Sequence, residues 1–264
     1  MRKKILLLAA AAMLRWAPLM AAQPLATDDT GTQGIGHIQV ELGMERSRIT
    51  TDNGGNTIRQ TGWQPSATLT YGLTDRIDLI TGLPWISQKI EAGGTTVSKE
   101  HGIGDLALQL KWRFVEMEDG RFSLAVRPGI TLPSGDENRS FGNGMVSGGV
   151  RLIATHNGRL GAVHLNLGYT RDQYRLEAVR IASRNDIWHA SIAGELNVAD
   201  GLRAVADTGV ETNRQKGDGT HPAYLLGGLI YSPSDRLDLD IGFRNGLNNA
   251  EQGSSLLAGI TMHF

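Results

Sequence analysis

The stretch Ser254–Phe264, SSLLAGITMHF, decides the fold. Leu256, Ala258, Ile260, Met262 and Phe264 fall on one side of a period of two. Ser255, Gly259, Thr261 and His263 fall on the other, with Leu257 the exception. That is the period of a β-strand. The apolar side runs to the terminal carboxylate, where a strand of a water-soluble domain would fray. A wall facing lipid needs such a strand, and a bilayer admits strands only as a closed barrel, because every backbone polar group must find a partner within the sheet.

Upstream the same pattern recurs until the chain divides into twelve segments. The cleanest sets Leu106, Leu108, Leu110, Trp112 and Phe114 against Asp105, Ala107, Gln109, Lys111 and Arg113. Others place outward Ile38–Met44, Trp63–Tyr71, Ile77–Trp85, Phe122–Leu132, Val146–Leu152, Val163–Tyr169, Trp188–Leu196, Leu202–Val210, Tyr224–Ile230 and Leu237–Phe243, at alternate positions. Connections near 72–75, 115–120, 156–159, 197–201 and 232–235 are short. Those at 47–60, 87–102, 133–143, 171–185, 212–221 and 245–253 are longer, polar and rich in Gly, Asn and Asp. Short turns at one end and long loops at the other, with an even strand number, predict an all-β, transmembrane antiparallel up-and-down β-barrel of about 12 strands, both termini in the periplasm.

Aromatic residues sort into two levels on the same outward face. Trp63, Trp85, Tyr169, Trp188, Tyr224 and Phe243 fall beside long loops. Tyr71, Trp112, Phe114, Phe122 and Phe264 fall beside short turns or the terminus. Two such girdles mark the two membrane interfaces. A soluble β-sandwich would also alternate, but it would put its charges outside and show no sorting into two levels.

At the other end, Arg2, Lys3 and Lys4 precede the apolar run Ile5–Leu14, and Ala21–Ala22 offer a cleavage site. Residues 1–22 thus read as a secretory signal peptide, with Ala26 the alternative cleavage position. They contain four of the 26 basic residues and none of the 27 acids, so the rest carries 22 bases against 27 acids, about −5. This charge does not suit a nucleic-acid partner. The chain has no cysteine, so an exported protein would rely on a closed hydrogen-bonded wall rather than disulfides. The 34 glycines fit the bends and close approaches of a barrel. Residues 23–34 form a polar leader that is free to enter the barrel from below as a plug, ahead of a barrel domain at 35–264.

With the apolar face outside, the opposite face lines a lumen. It carries Glu41, Gln109, Arg127, Arg151, Asn166, Asp207 and Asp240 near mid-strand, and Lys111, His164, His189, Glu195, Arg203 and Arg244 further along. Buried charges must be paired or wet. Two readings follow: cross-lumen ion pairs that stiffen a closed barrel, or a polar conduit in which Arg127 and Arg151 favour anionic or hydrogen-bonding solutes. The segment at 223–230 is apolar on both faces, since Leu225 and Leu229 stand opposite Leu226 and Ile230. Packing on a plug, a greasy patch for an apolar solute and a shifted register all stay open there. An enzyme is not expected: His189 and Ser191 share a face, but no orienting acid is evident. The histidines lack metal-ligand spacing, and no cofactor is expected.

The leader Pro24–Gly34, together with YGLTDRIDL at 71–79, GIGDL at 102–106 and TLPSG at 131–135, resembles the MetA pathway of phenol degradation family of outer-membrane transporters, in the same order. The resemblance implies an outer-membrane barrel with a role in uptake of small, aromatic compounds, and carries over no defined binding residues. Phe264 resembles the C-terminal signal that outer-membrane proteins present to the barrel-assembly machinery. The expected setting is the outer membrane of a Gram-negative bacterium, the expected partners its lipid, that machinery and a small-molecule solute. The expected function is solute passage through the lumen. The alternative is a structural or adhesive barrel with a closed lumen and functional loops.

Overall fold

The computed structural model describes residues 23–53 and 56–264. The expected signal peptide, residues 1–22, lies outside them. The strands are β1 (Ile38–Asn53), β2 (Asn56–Thr74), β3 (Ile77–Ala92), β4 (Thr95–Ile103), β5 (Leu106–Glu116), β6 (Phe122–Leu132), β7 (Ser147–Asn157), β8 (Gly161–Arg171), β9 (Asp186–Ala199), β10 (Leu202–Glu211), β11 (Ala223–Ser234), β12 (Leu237–Gly246) and β13 (Ser254–His263). Each pairs antiparallel with its neighbour, and β1 also pairs with β13 from Gln39↔His263 to Arg48↔Ser254, which closes the sheet.

The wall has twelve positions because β4 and β5 share one. β3 pairs with β5 through residues 77–82 and with β4 through residues 85–92. Pro84, which has no N–H to give, sits at the changeover, and its carbonyl accepts from Gly104 N at 2.8 Å. The fold is thus a closed antiparallel barrel of twelve strands.

Burial is inverted relative to a soluble protein. Leu167 is 52% exposed on the outer face, while Asn166 beside it is fully buried. Polar side chains inside and apolar ones outside is the arrangement lipid demands.

Two sequence expectations need correction. The spans 47–60 and 87–102 are not loops: β1 and β2 continue to Asn53 and Asn56, and β3 and β4 turn at Gly93–Gly94, giving two hairpins that rise past the wall. Beyond the membrane the outer face meets water, so the apolar alternation that marks a lipid-facing strand disappears while the ladder continues. The second correction is β11. Tyr224, Leu226 and Ile230 point inward and are buried, and Leu225, Leu229 and Tyr231 point outward. Tyr224 therefore does not belong to the aromatic girdle. A strand apolar on both faces does not fix its own register. The remaining girdle residues lie on the outer side, with Tyr169 and Trp188 tilted against each other at 4.8 Å.

Between β6 and β7 the chain folds back over the mouth. Phe141 is fully buried there, and a Cβ at Gly102 would lie 2.9 Å from its ring. A short helix, α1 (Glu177–Ala182), lies in the β8–β9 connection.

The lumen and the leader bound inside it

The leader climbs from the periplasmic rim and follows the inner wall around the bore. At the rim, Gly36 N donates to Gly72 O at 2.8 Å and Gly72 N to His37 O at 2.9 Å. A Cβ at Gly72 would stand 1.8 Å from the Gly34 carbonyl oxygen, so this position must be glycine for the leader to pass. Gln33 N then reaches the carboxylate of Asp78 on β3 at 3.1 Å. Thr30 N donates to Thr155 Oγ1 on β7 at 3.1 Å, and the Thr30 and Ser123 hydroxyls meet at 2.5 Å.

Asp28 is the electrostatic centre. Its carboxylate takes Lys111 Nζ at 3.1 Å and Arg127 at 2.5 Å, all three groups deeply buried. Lys111 also donates to the carbonyls of Asp29 and Gly31 at 3.1 and 3.2 Å. The Asn166 side chain binds the Asp28 backbone at both ends, accepting from its N at 2.9 Å and donating to its O at 2.7 Å. A side-chain amide thus serves this segment as a neighbouring strand would.

Asp207 on β10 holds the next turn. It accepts from Ala26 N at 2.7 Å, from Thr27 N at 2.8 Å and Thr27 Oγ1 at 2.8 Å, and from Tyr224 OH at 3.0 Å. The Thr27 and Ser191 hydroxyls also meet at 2.7 Å, and His189 meets Ser191 at 3.0 Å. The His189–Ser191 pair flagged from sequence therefore lies beneath the leader, its hydroxyl committed to Thr27. Leu25 fills an apolar cluster with Ala193, Val205, Tyr224, Leu226 and Ile230. Pro24 lies against Gly242, where a Cβ would come within 2.8 Å of it. Gln23 crosses Gly43 and Gly259, completing a circuit from β3 round to β1.

The candidate lumen residues thus fall into distinct roles. Arg127, Asn166 and Asp207 grip the leader. Arg127 and Asp207 pair with it rather than with each other across the bore. Arg151 faces Arg127 in register, and its Nη1 has no hydrogen-bond partner among the described residues. Glu41 accepts from Gln39, while the Asp240 carboxylate and Gln109 Oε1 are buried without a hydrogen-bond partner among the described residues. Sequence reasoning placed these side chains on the inner face but not their partners, which come from a segment with no strand period.

Two ionic layers flank the leader. On the periplasmic side Glu195 meets His164 at 3.4 Å and Arg203 at 2.8 Å, and Asp238 meets Arg203 at 3.8 Å and His263 at 3.3 Å. On the outer side Arg214 joins Asp172 and lies 3.7 Å from Glu211, and Arg244 pairs with Glu251 at 2.8 Å. In the β8–β9 connection, burial pushes the Tyr174 hydroxyl up to about 12. A cavity of about 210 Å³ opens here, lined among others by Glu45, Ile86, Glu211, Arg214, Arg244 and Glu251. Arg244 lies 4.5 Å from the Tyr224 ring centre, and Tyr224 bonds Asp207, so one chain of contacts runs from vestibule to leader.

Solved structures of similar shape are outer-membrane barrels. The COG4313 outer membrane channel from Pseudomonas putida F1 aligns with a TM-score of 0.67 at 15% identity, over 89% of this chain and 98% of that one. The translocator domain of the autotransporter NalP from Neisseria meningitidis gives 0.55 at 11% identity, over 88% and 89%. The NanC porin gives 0.54 at 10% identity, over 85% and 98%. At these identities the likeness is one of fold. No curated protein matches the sequence. A family model does match, over residues 21–264, and the chain belongs to that family, "Putative MetA-pathway of phenol degradation".

Proposed function

We propose that the protein is an outer-membrane channel for small solutes, with its leader as the plug. The observation that carries this is the set of bonds from residues 24–33 to walls on opposite sides of the bore. A barrel built only as a scaffold would fill its core with its own side chains, as small barrels do. This one recruits a separate segment, held by hydrogen bonds and one ionic centre that compete with water. The solved neighbour described as an outer membrane channel supports the reading, and the family name makes aromatic compounds the first class to test. The vestibule, with both charge signs and an apolar patch, is where a solute would arrive. Tyr224 and Asp207 link it to the leader. The chemistry needed is binding and release, so we read the protein as a transporter and not an enzyme.

The test is single-channel current in planar bilayers for the mature protein and for a variant lacking residues 23–34, with phenols and small aromatic acids as blockers. A steady current, larger in the deletion variant and blocked by one solute class, is expected. A folded deletion variant with no current would replace this reading with that of a closed structural barrel.

A further inference from the structure

The two hairpins that rise beyond the wall present an outward face of uneven charge. Paired positions form rows across it. Arg48 stands opposite Thr61, Thr61 opposite Lys89, and Lys89 opposite Lys99. The row below is Arg46, Trp63, Ser87 and His101; the row above contains Arg59 opposite Glu91. Alternation sends the intervening Gln60, Gln88 and Ile90 inward, where all three are buried. Arg46, Arg48, Arg59, Lys99 and His101 are exposed. Within these three rows Glu91 is the acid. It bonds Lys89 at 2.7 Å, which with Arg59 and Arg48 nearby holds its carboxyl below the usual range.

Two features point to an anionic occupant. Lys89 and Lys99 are directly opposed on neighbouring strands, a destabilising arrangement that Glu91 offsets only at Lys89, so a further negative group beside Lys99 and Arg48 would relieve it. The cluster also sits immediately above the aromatic level. Arg46 lies 4.9 Å over the Trp63 ring, and Trp85 stacks with His101 at 6.0 Å. At roughly 3.4 Å per residue, Arg48 and Lys99 stand about 7 Å beyond the Trp63 row, at headgroup height. Three strand spacings make the Arg48–Lys99 row about 14 Å wide, the scale of a disaccharide headgroup. Residues 23–264 carry about five more acids than bases with this patch included, so the patch runs against the net field.

We propose that this face binds the phosphorylated glycolipid of the outer leaflet, with Arg48, Lys89 and Lys99 taking its phosphates and Trp63 and Trp85 packing beneath its sugars. Arginine and lysine at an interface recognise phosphate through charge-assisted hydrogen bonds, and juxtamembrane basic clusters gather anionic lipid. Seated there, the lipid would brace the hairpins that form one side of the vestibule.

The test is binding of diphosphoryl lipid A by the full refolded barrel in uncharged detergent micelles, compared with the same lipid stripped of phosphate. The expected result is at least tenfold tighter binding of the phosphorylated lipid. The variant R48Q/K89Q/K99Q should lose that advantage while keeping the heat-modifiable mobility of a folded barrel. K99Q alone, a milder change, should lose part of it. R171Q, at a rim cation already paired with Asp186 at 2.7 Å, should lose none. Equal binding of the two lipids, an unaffected triple variant, equal loss in R171Q, or full competition by inorganic phosphate at matched concentration would each overturn the proposal.

Discussion

Asp28 shows how much one leader residue can decide. Its carboxylate is the counter-ion of two buried cations, and its backbone is held at both ends by Asn166. Removing one partner of a buried ion pair costs about 3–5 kcal/mol, chiefly because the other charge stays behind without water. Here Lys111 and Arg127 would both lose that carboxylate, with Arg151 adding like charge opposite Arg127. Asp28→Asn should therefore undock the leader without opening the wall. The expected outcome is a channel current approaching that of the leader deletion and faster protease cleavage near residue 30, at unchanged heat-modifiable mobility. Tyr224→Phe should act more mildly. It removes the 3.0 Å bond to Asp207 while keeping the ring under Arg244, so about 1 kcal/mol of leader docking is at stake. That difference should appear as brief openings in the current record rather than a steady one.

At the scale of elements, the leader and its surroundings are cut to fit each other. Gly242 and Gly228 leave room for Pro24, and the pocket for Leu25 is lined by side chains of β9, β10 and β11. A mature chain beginning after Ala26 would forfeit these contacts, so the alternative cleavage position conflicts with the packing. Intact mass of protein purified from membranes should correspond to a start no later than Gln23; a chain starting at Thr27 would refute this. The lipid-facing strands were legible from sequence because lipid imposes a strict two-residue alternation. β11 was not, because Tyr224, Leu226 and Ile230 face Leu25 rather than water, leaving both its sides apolar. The projecting hairpins escaped for the opposite reason, since no lipid contrasts their two faces. The inward polar residues could be placed on the lumen side, whereas the role of Asp28 depends on long-range docking that no local period records.

The whole molecule depends on a seam between its first strand and its last residues. Ile38 N donates to Phe264 O at 3.1 Å, and Phe264 N to Ile38 O at 2.8 Å, so the terminal residue supplies the lowest rung of the closing ladder. Its side chain is 68% exposed on the outer face, at the periplasmic aromatic level. Two roles can be separated here, because one acts on the folded barrel and the other on its delivery. As a rung, Phe264 contributes two hydrogen bonds of about 1 kcal/mol each, small against a seam of ten paired positions from Gln39 to Arg48. We propose the second role from the resemblance of Phe264 to an assembly signal: if the assembly machinery reads it, it would govern how fast chains reach the membrane. Deleting Phe264 should therefore leave refolding into detergent nearly intact, with a slightly lower unfolding midpoint, while the amount of folded barrel recovered from cells falls severalfold. Phe264→Ala keeps the backbone rung and removes only the ring. If it matches the deletion in cells and the parent in detergent, the ring acts in assembly. If both variants fail to refold in detergent, the seam itself needs the terminal residue, and the assembly role is unnecessary to explain its presence.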